Sequence, residues 1–257
     1  MLKKKSLGQH FLHSAAYVRA VADAGNIAPG DTVLEIGPGE GVLTRELLNQ
    51  GAHVIAIEKD ARLIPVLAEA FAAEIAAGSM RVIEGDALEI DPGVLKLSQH
   101  YKIVANIPYY ITGALLRKYL EGDHQPTTLV YLIQKEVAER VARSTKESIL
   151  SLSIKAFGTP KYVKTVPKGA FVPPPTVDSA ILQISDISRA HFPNKGAEQR
   201  FFDLLHAGFG QKRKLLRRNI EKVLGENCSI YMQEAGIPQD ARAEDVPLEA
   251  WVRLATI

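Results

Sequence analysis

The chain has 257 residues, enough for one large domain or a medium domain with a small appendage. Its 46% hydrophobic share supports a packed core, and a 23% charged share is ordinary for a soluble protein. Lys and Arg total 31 against 29 acids, and the resulting net charge of +2 names no partner by itself. The single cysteine, Cys228, excludes an internal disulfide and a cysteine-rich metal site, and points to a reducing, cytoplasmic compartment. The seven histidines lack metal-ligand spacing, so no metal is expected. No apolar run approaches the length of a membrane span, and the basic start, MLKKKSLGQHFLHS, lacks the apolar stretch of a secretory signal.

From residue 31 to about residue 135, short β-branched runs alternate with helical stretches. TVLEI (32–36) leads through a glycine-rich turn into VLTRELLNQG, a helix that closes on Gly51. HVIAIE (53–58) precedes ARLIPVLAEAFAAEIAAG, a helix ending at Gly78 whose early part Pro65 should weaken or kink. MRVIEGD (80–86), YKIVAN (101–106) and TTLVYLIQ (127–134) read as further strands. This alternation predicts right-handed crossovers and a parallel, doubly wound α/β sheet, which binds ligands beyond the carboxyl ends of its strands. ILSLSIKAF and SAILQIS read as later strands, with the proline-rich VPKGAFVPPPTVDSA between them. After Ser185 the pattern changes to a linker-like ISRAHFPNKGAEQ, then a helical FFDLLHAGFGQKRKLLRRNIEKVLG with a basic face. Two shorter helices follow, CSIYMQEAG and PLEAWVRLATI, the second with Pro247 in its first turn. The expected division is a sheet domain over 1–185 and a small all-helical domain over 186–257.

Chemistry concentrates at the strand ends. In EIGPGEG (35–41), Gly37, Gly39 and Gly41 allow backbone to approach a ligand where a Cβ would collide. The spacing differs from the Gly-X-Gly-X-X-Gly dinucleotide fingerprint, and a tight strand-to-helix turn needs glycine anyway. Glu58 closes the second strand, 21 residues beyond Gly37, where a carboxylate can accept both hydroxyls of a ribose. Its plainer reading is a solvated strand-end charge. Asp86 follows the third strand and can accept from the exocyclic amine of adenine, or else cap a helix. Together, glycines after strand one and acids after strands two and three describe a pocket for an adenosine-bearing cofactor.

The fourth strand ends in KIVANIPYYIT (102–112). A hydride-transfer enzyme has no need of Asn-X-Pro-Tyr here, whereas transfer of a methyl group to an aromatic amine does. The lone pair of adenine's exocyclic nitrogen is delocalised into the ring, which makes it a poor nucleophile. The amide oxygen of Asn106 and the carbonyl of Ile107 can accept its two N–H bonds, Pro108 stiffens the step, and Tyr109 can stack on the base. The alternative is that Asn106 caps the helix TGALLRKYL. Phe171 is a candidate for the opposite face of the base, or a core residue. Lys212, Arg213, Lys214, Arg217 and Arg218 would line one helix face, with Leu215, Leu216 and Ile220 buried behind them. That stripe suits phosphate backbones, although charge runs are usually solvated surface.

Read together, LGQHFL, EIGPGEGVLT, VIEGDAL, NIPYYI, LIQKEVAERV, AFVPPPTVDSA, GFGQKRKLLRRNI and ARAEDVPLEAW resemble the ribosomal RNA adenine dimethyltransferases over nearly the whole chain. The small-subunit branch, the 16S-type kasugamycin-resistance enzymes, is the closer match. The resemblance implies a Rossmann-like S-adenosylmethionine-dependent methyltransferase sheet with a helical RNA-binding domain. It also implies cofactor contacts at His10 and Leu12 alongside Gly37, Glu58, Asp86 and Asn106. The implied reaction is double methylation of N6 on two adjacent adenosines near the 3′ end of the small-subunit RNA. The implied partner is a partly assembled 30S-type particle, met by a cytoplasmic enzyme with nothing to suggest an obligate dimer. Three alternatives remain: a large-subunit methylase of the antibiotic-resistance type, a non-catalytic RNA-binding assembly factor, and, weakest, a dehydrogenase. One departure is visible, since the family's Tyr-Gly-X-Leu-Ser is replaced by ESILS, Glu147 to Ser151.

Overall fold

The computed structural model describes residues 10–257, which fall into two compact units. The first runs to Ala138 and adds Pro160–Ile187; the second comprises Glu139–Thr159 and Ser188–Ile257. Lys3, Lys4 and Lys5 of the basic start, and Gly8 and Gln9 of the opening motif, lie outside the described residues.

The strands are β1 (Phe11–Leu12), β2 (Thr32–Ile36), β3 (His53–Glu58), β4 (Met80–Glu84) and β5 (Lys102–Asn106), then β6 (Thr128–Gln134), β7 (Thr159–Val166), β8 (Phe171–Val172) and β9 (Ser179–Ser185). Seven of them form one sheet in the order β4-β3-β2-β5-β6-β9-β7. Pairing is parallel from β4 through β6, with Leu34 opposite Ile55 and Ile103 opposite Leu129. The parallel strands are continuous apolar runs because helices cover the sheet. Val33, Leu34, Ile103, Val104 and Leu129–Leu132 are all buried. The helices of this unit are α1 (Ala15–Asp23), α2 (Val42–Asn49), α3 (Ile64–Ala70), α4 (Ala72–Ala76) and α5 (Thr112–Glu121). Next, α6 (Lys135–Ala142) follows β6 directly. Chain order reverses at β2, with β3 on one side and β5 on the other, so the carboxyl ends of these strands open a crevice.

The sheet departs from the expected all-parallel form at one edge. SAILQIS is a strand, β9, but it runs antiparallel to β6, with Tyr131 opposite Leu182. Beyond it lies β7, TPKYVKTV, which no sequence signal announced. An edge strand tolerates the Pro160, Lys161 and Lys164 that hide it from a hydrophobic pattern. Pro65 also behaves differently from expectation. It occupies the first turn of α3, where its missing N–H costs nothing, and the break falls later, at Phe71.

In the second unit, α7 (Ile149–Lys155) replaces the strand expected from ILSLSIKAF. The decisive signal is Ser148, whose Oγ accepts the Ser151 N–H at 3.1 Å while its own N–H donates to Ser151 Oγ at 2.7 Å. Glu147 Oε2 takes the Ser151 hydroxyl at 2.7 Å and Oε1 takes Lys155 Nζ at 2.5 Å. The ESILS departure is therefore a well-capped helix start. Residues 139–159 belong with the helices because Phe157 stacks with Phe202 and tilts against Phe192, while its carbonyl accepts Ser188 N–H at 2.8 Å.

The remaining helices are α8 (Lys195–Phe209), capped by Asn194, then α9 (Leu216–Leu224), α10 (Cys228–Glu234) and α11 (Leu248–Thr256). The long basic helix expected from FFDLLHAGFGQKRKLLRRNIEKVLG is thus two helices joined by a turn. Asn219 Nδ2 donates to the Gly208 carbonyl at 2.6 Å and to the Gln211 carbonyl at 3.2 Å, satisfying the open end of α8. Gly208 is there because a Cβ would sit 2.4 Å from the buried Trp251 ring. Replacing Ser148 by Ala should lower stability by about 1 kcal/mol through loss of the cap. Urea unfolding at neutral pH reads this directly, and an unchanged midpoint would remove the importance given to that cap.

Candidate active site

The carboxyl ends of β2, β3, β4 and β5 surround a cleft. Its walls are Gly37–Glu40 after β2, Glu58 and Lys59 after β3, Gly85–Ala87 after β4, and Asn106–Ile111 after β5. His10, Phe11 and Leu12 complete it from β1. The empty space measures about 1140 Å³ with its open mouth included, large enough for a nucleoside-sized ligand.

The three glycines of the first turn all have positive φ, at +67°, +60° and +81° for Gly37, Gly39 and Gly41. Their surroundings differ. A Cβ on Gly39 would lie 2.7 Å from the Phe11 ring, and one on Gly41 would lie 2.4 Å from the Phe71 ring. A Cβ on Gly37 would meet nothing within 4 Å. Gly39 and Gly41 thus make room for protein, whereas Gly37 lies beside open space.

Glu58 is 4% exposed, which removes the solvated-charge reading. Its Oε2 accepts Gly39 N–H at 3.1 Å and Oε1 accepts Asp60 N–H at 2.8 Å. Burial raises its pKa, the backbone bonds oppose that, and the neighbouring Asp60 charge adds to it. Asp86 sits at the rim, past the end of β4. Its Oδ2 holds Lys59 Nζ at 2.6 Å and its Oδ1 accepts Leu88 N–H at 2.9 Å, which fixes a turn. The Lys59 bond keeps its carboxyl below the usual range.

Asn106, the last residue of β5, is not a helix cap. The residue preceding α5 is Ile111, and Asn106 Nδ2 instead donates to the His10 carbonyl at 3.0 Å. Among the described residues, no N–H or O–H donates to its Oδ1. Pro108 follows with φ −59°, and Ile111 N–H closes the next turn onto its carbonyl at 3.2 Å. The half-buried Tyr109 lines the cleft, its hydroxyl 2.6 Å from Ser179 Oγ and its ring stacked 6.2 Å from that of His10. His10 Nδ1 lies 2.8 Å from the Pro173 carbonyl, and Phe11 and Leu12 pair antiparallel with Val172 and Phe171. The opening motif and the proline segment, 163 residues apart at His10 and Pro173, are therefore one strap beside Asn106.

Eight of the nine expected base- and cofactor-site residues line this one cleft: His10, Leu12, Gly37, Glu58, Asp86, Asn106, Pro108 and Tyr109. Phe171 does not. It is 2% exposed and packed in the hydrophobic core with Leu12, Val18 and Ile181, so it has no face open to a base. Its expected role is corrected accordingly; register with β1 turns it inward. The basic residues are also redistributed. Lys212, Arg213 and Lys214 occupy the turn before α9, and only Arg217 and Arg218 are on that helix. All five are exposed, while Leu216 and Ile220 are buried and Leu215 is not. Among the described residues, no group of three or more His, Cys, Asp or Glu could hold a metal ion.

Glu35 was missed from the sequence, although an acid inside the apolar TVLEI strand is the signal that could have found it. It lines the cleft at 1% exposure, and its Oε2 accepts the Thr44 hydroxyl at 2.6 Å. Burial, with the Glu58 charge adding to it, raises its pKa to about 8. The folded value lies above the ordinary one of 4.5, so this group's stabilising contribution is complete below about pH 4.5 and is lost as pH rises through about 8. Glu35→Gln should therefore gain stability relative to the unmodified chain between pH 5 and pH 9, as measured by urea midpoints. A difference that stays constant with pH would contradict a buried, neutral Glu35.

The comparisons with known proteins agree with this geometry. The family model described as ribosomal RNA adenine dimethylase matches residues 1–257. A Dehalococcoides mccartyi protein named ribosomal RNA small subunit methyltransferase A is 40% identical, the match covering 99% of this chain and 88% of that one. The protein of the same name from Deinococcus radiodurans is 43% identical over 95% of this chain and 82% of its own. Among solved structures, a dimethyladenosine transferase from Plasmodium falciparum superposes with TM-score 0.79 at 26% identity, covering 95% of this chain and 96% of that one. The 23S rRNA methyltransferase ErmE gives TM-score 0.78 at 26% identity, over 96% and 98% of the two chains. Matched by the family model over residues 1–257 and 40% identical to a relative across 99% of its length, the chain belongs to the ribosomal RNA adenine dimethylase family.

Proposed function

We propose that this protein transfers methyl groups from S-adenosylmethionine to N6 of two adjacent adenosines near the 3′ end of small-subunit ribosomal RNA. The observation that carries the reading is the Asn106 amide, held by its nitrogen at 3.0 Å from the His10 carbonyl, with no donor to its oxygen among the described residues. The cleft fits an adenosine-bearing cofactor. Gly37 borders free space, and Glu58 keeps acceptor capacity for a ribose after its two backbone bonds. Asp86, Ala87, and His10 and Leu12 of the strap line the same cleft, which supports assigning the adenine edge to Asp86 and the Ala87 backbone. The cofactor supplies a methyl group already activated on a sulfonium, so the protein's task is orientation more than proton abstraction.

For the target base, Asn106 Oδ1 and the Ile107 carbonyl accept the two N–H bonds of the exocyclic amine. That pairing turns the nitrogen lone pair out of the ring plane toward the incoming methyl. Pro108 lacks an N–H and holds the carbonyl direction, and Tyr109 offers its ring to the base face. Extruding a base from RNA costs unstacking energy, which contacts outside the cleft must offset. Lys212, Arg213, Lys214, Arg217 and Arg218 are the groups assigned to that task, in a helical RNA-binding region. The reading includes a partly assembled 30S-type particle as substrate and a monomeric, cytoplasmic enzyme. Relatives 40–43% identical carry the small-subunit name, against 26% identity to the 23S enzyme, which supports the small-subunit target over the large one.

Incubation with labelled S-adenosylmethionine and undermethylated small subunits should label two adjacent adenosines, and no incorporation would remove the enzymatic reading. Asn106→Ala should lose at least about a hundredfold in methyl transfer with cofactor affinity largely kept. Full activity in that variant would deny the amide its role. Replacing Lys212, Arg213 and Lys214 by Ala should flatten the slope of log RNA affinity against log salt by roughly 0.7–0.9 for each phosphate no longer neutralised. An unchanged slope would return those charges to ordinary surface.

A further inference from the structure

The turn that carries Tyr109 carries a second ring with opposite surroundings. Tyr109 is tied down by Ser179 and His10, but its neighbour Tyr110 is 69% exposed while still lining the mouth of the cleft. The two residues share a single turn of 3-10 helix, Tyr109–Ile111, stiffened by Pro108 before it and closed by Ile111 N–H onto the Pro108 carbonyl. Lys59, whose ammonium is held by Asp86 at 2.6 Å, lines the same cleft. A ring exposed at the mouth of a cleft has a face open to a ligand. It is well placed for a nucleotide, whose base has a π-face and whose phosphate is negative.

We propose that Tyr110 is the stacking platform for the nucleotide next to the target adenosine, with Lys59 facing that nucleotide's phosphate. The proposal rests on the methylation reading above and extends it to a positioning residue for the flanking base. When one adenosine leaves the stack for the Asn106 site, its neighbour loses a stacking partner. An aromatic ring fixed one residue from Tyr109 replaces that partner. Because both rings sit on the same rigid turn, holding the neighbour also sets the register of the target against Asn106.

The test measures binding and kinetics with an RNA hairpin that carries two adjacent adenosines, and with the same hairpin made abasic on either flank of the target in turn. Tyr110→Ala should weaken binding of the intact hairpin roughly tenfold and raise its KM with kcat little changed. Tyr110→Phe, which keeps the ring, should behave as the unmodified protein. On the hairpin abasic at the stacked position, the unmodified protein should be weakened by a similar factor and Tyr110→Ala should add nothing. Cofactor affinity and thermal midpoint should stay constant throughout, because the side chain is exposed. Equal losses on intact and abasic RNA, loss in Tyr110→Phe, or no loss in Tyr110→Ala would each overturn the stacking role. If the unmodified protein neither binds the hairpin nor methylates undermethylated subunits, the function proposed above fails as well; if it methylates subunits but not the hairpin, the KM of Tyr110→Ala for subunits decides, and an unchanged KM overturns the stacking role. Methylation that proceeds normally in Tyr110→Ala sinks only the present inference.

Discussion

An amide has two ends, and a site that must accept hydrogen bonds from an amine can use only one of them. In this protein the His10 carbonyl takes Asn106 Nδ2 at 3.0 Å, and among the described residues no donor reaches the oxygen. The carbonyl is held in turn by a strap. Phe11 and Leu12 pair with Val172 and Phe171, and the His10 ring meets the Pro173 carbonyl at 2.8 Å. Gly39 is glycine because Phe11 lies against it, 2.7 Å from where a Cβ would be. The placing of the Asn106 amide at the end of β5 thus depends on two segments far away in sequence, and on one glycine of the first turn.

The same dependence explains which parts of the site could be read from the chain. Glu58, Asp86 and Asn106 each end or follow a strand, so a β-branched apolar run followed by a polar residue was enough to locate them. The division of labour among the glycines was not readable, because Gly37, Gly39 and Gly41 look alike until Phe11 and Phe71 are in place. Phe171 was equally ambiguous. An aromatic in a proline-rich segment can be a wall or a core residue, and only pairing with Leu12 decides that it is core. Glu35 was overlooked since a lone acid within TVLEI is a small perturbation of a strong strand signal.

Fold errors came from local patterns that fit two structures. ILSLSIKAF alternates well enough for a strand, yet Ser148 and Ser151 close a capping box that starts α7. In QKRKLLRRNI the basic density suggested one helix face, whereas the chain turns after Phe209 and restarts at Leu216. In both places a backbone hydrogen-bond requirement at a helix end outweighed side-chain periodicity. The parallel strands were legible for the opposite reason: burial on both faces demands uninterrupted apolar runs, which few other structures need. At the exposed edge that demand disappears, and β7 was lost with it.

Charge within the cleft follows from burial rather than from count. Glu35 and Glu58 lie in one pocket, both are almost fully buried, and both are pushed toward the neutral form. Asp86, at the rim with Lys59, is pulled toward the charged form instead. The cleft therefore has a carboxylate with a paired cation at its mouth and poorly solvated carboxyls at its floor. A ligand bearing positive charge and hydroxyl groups supplies what the floor lacks, since cation and donors together favour ionisation that water cannot reach to support.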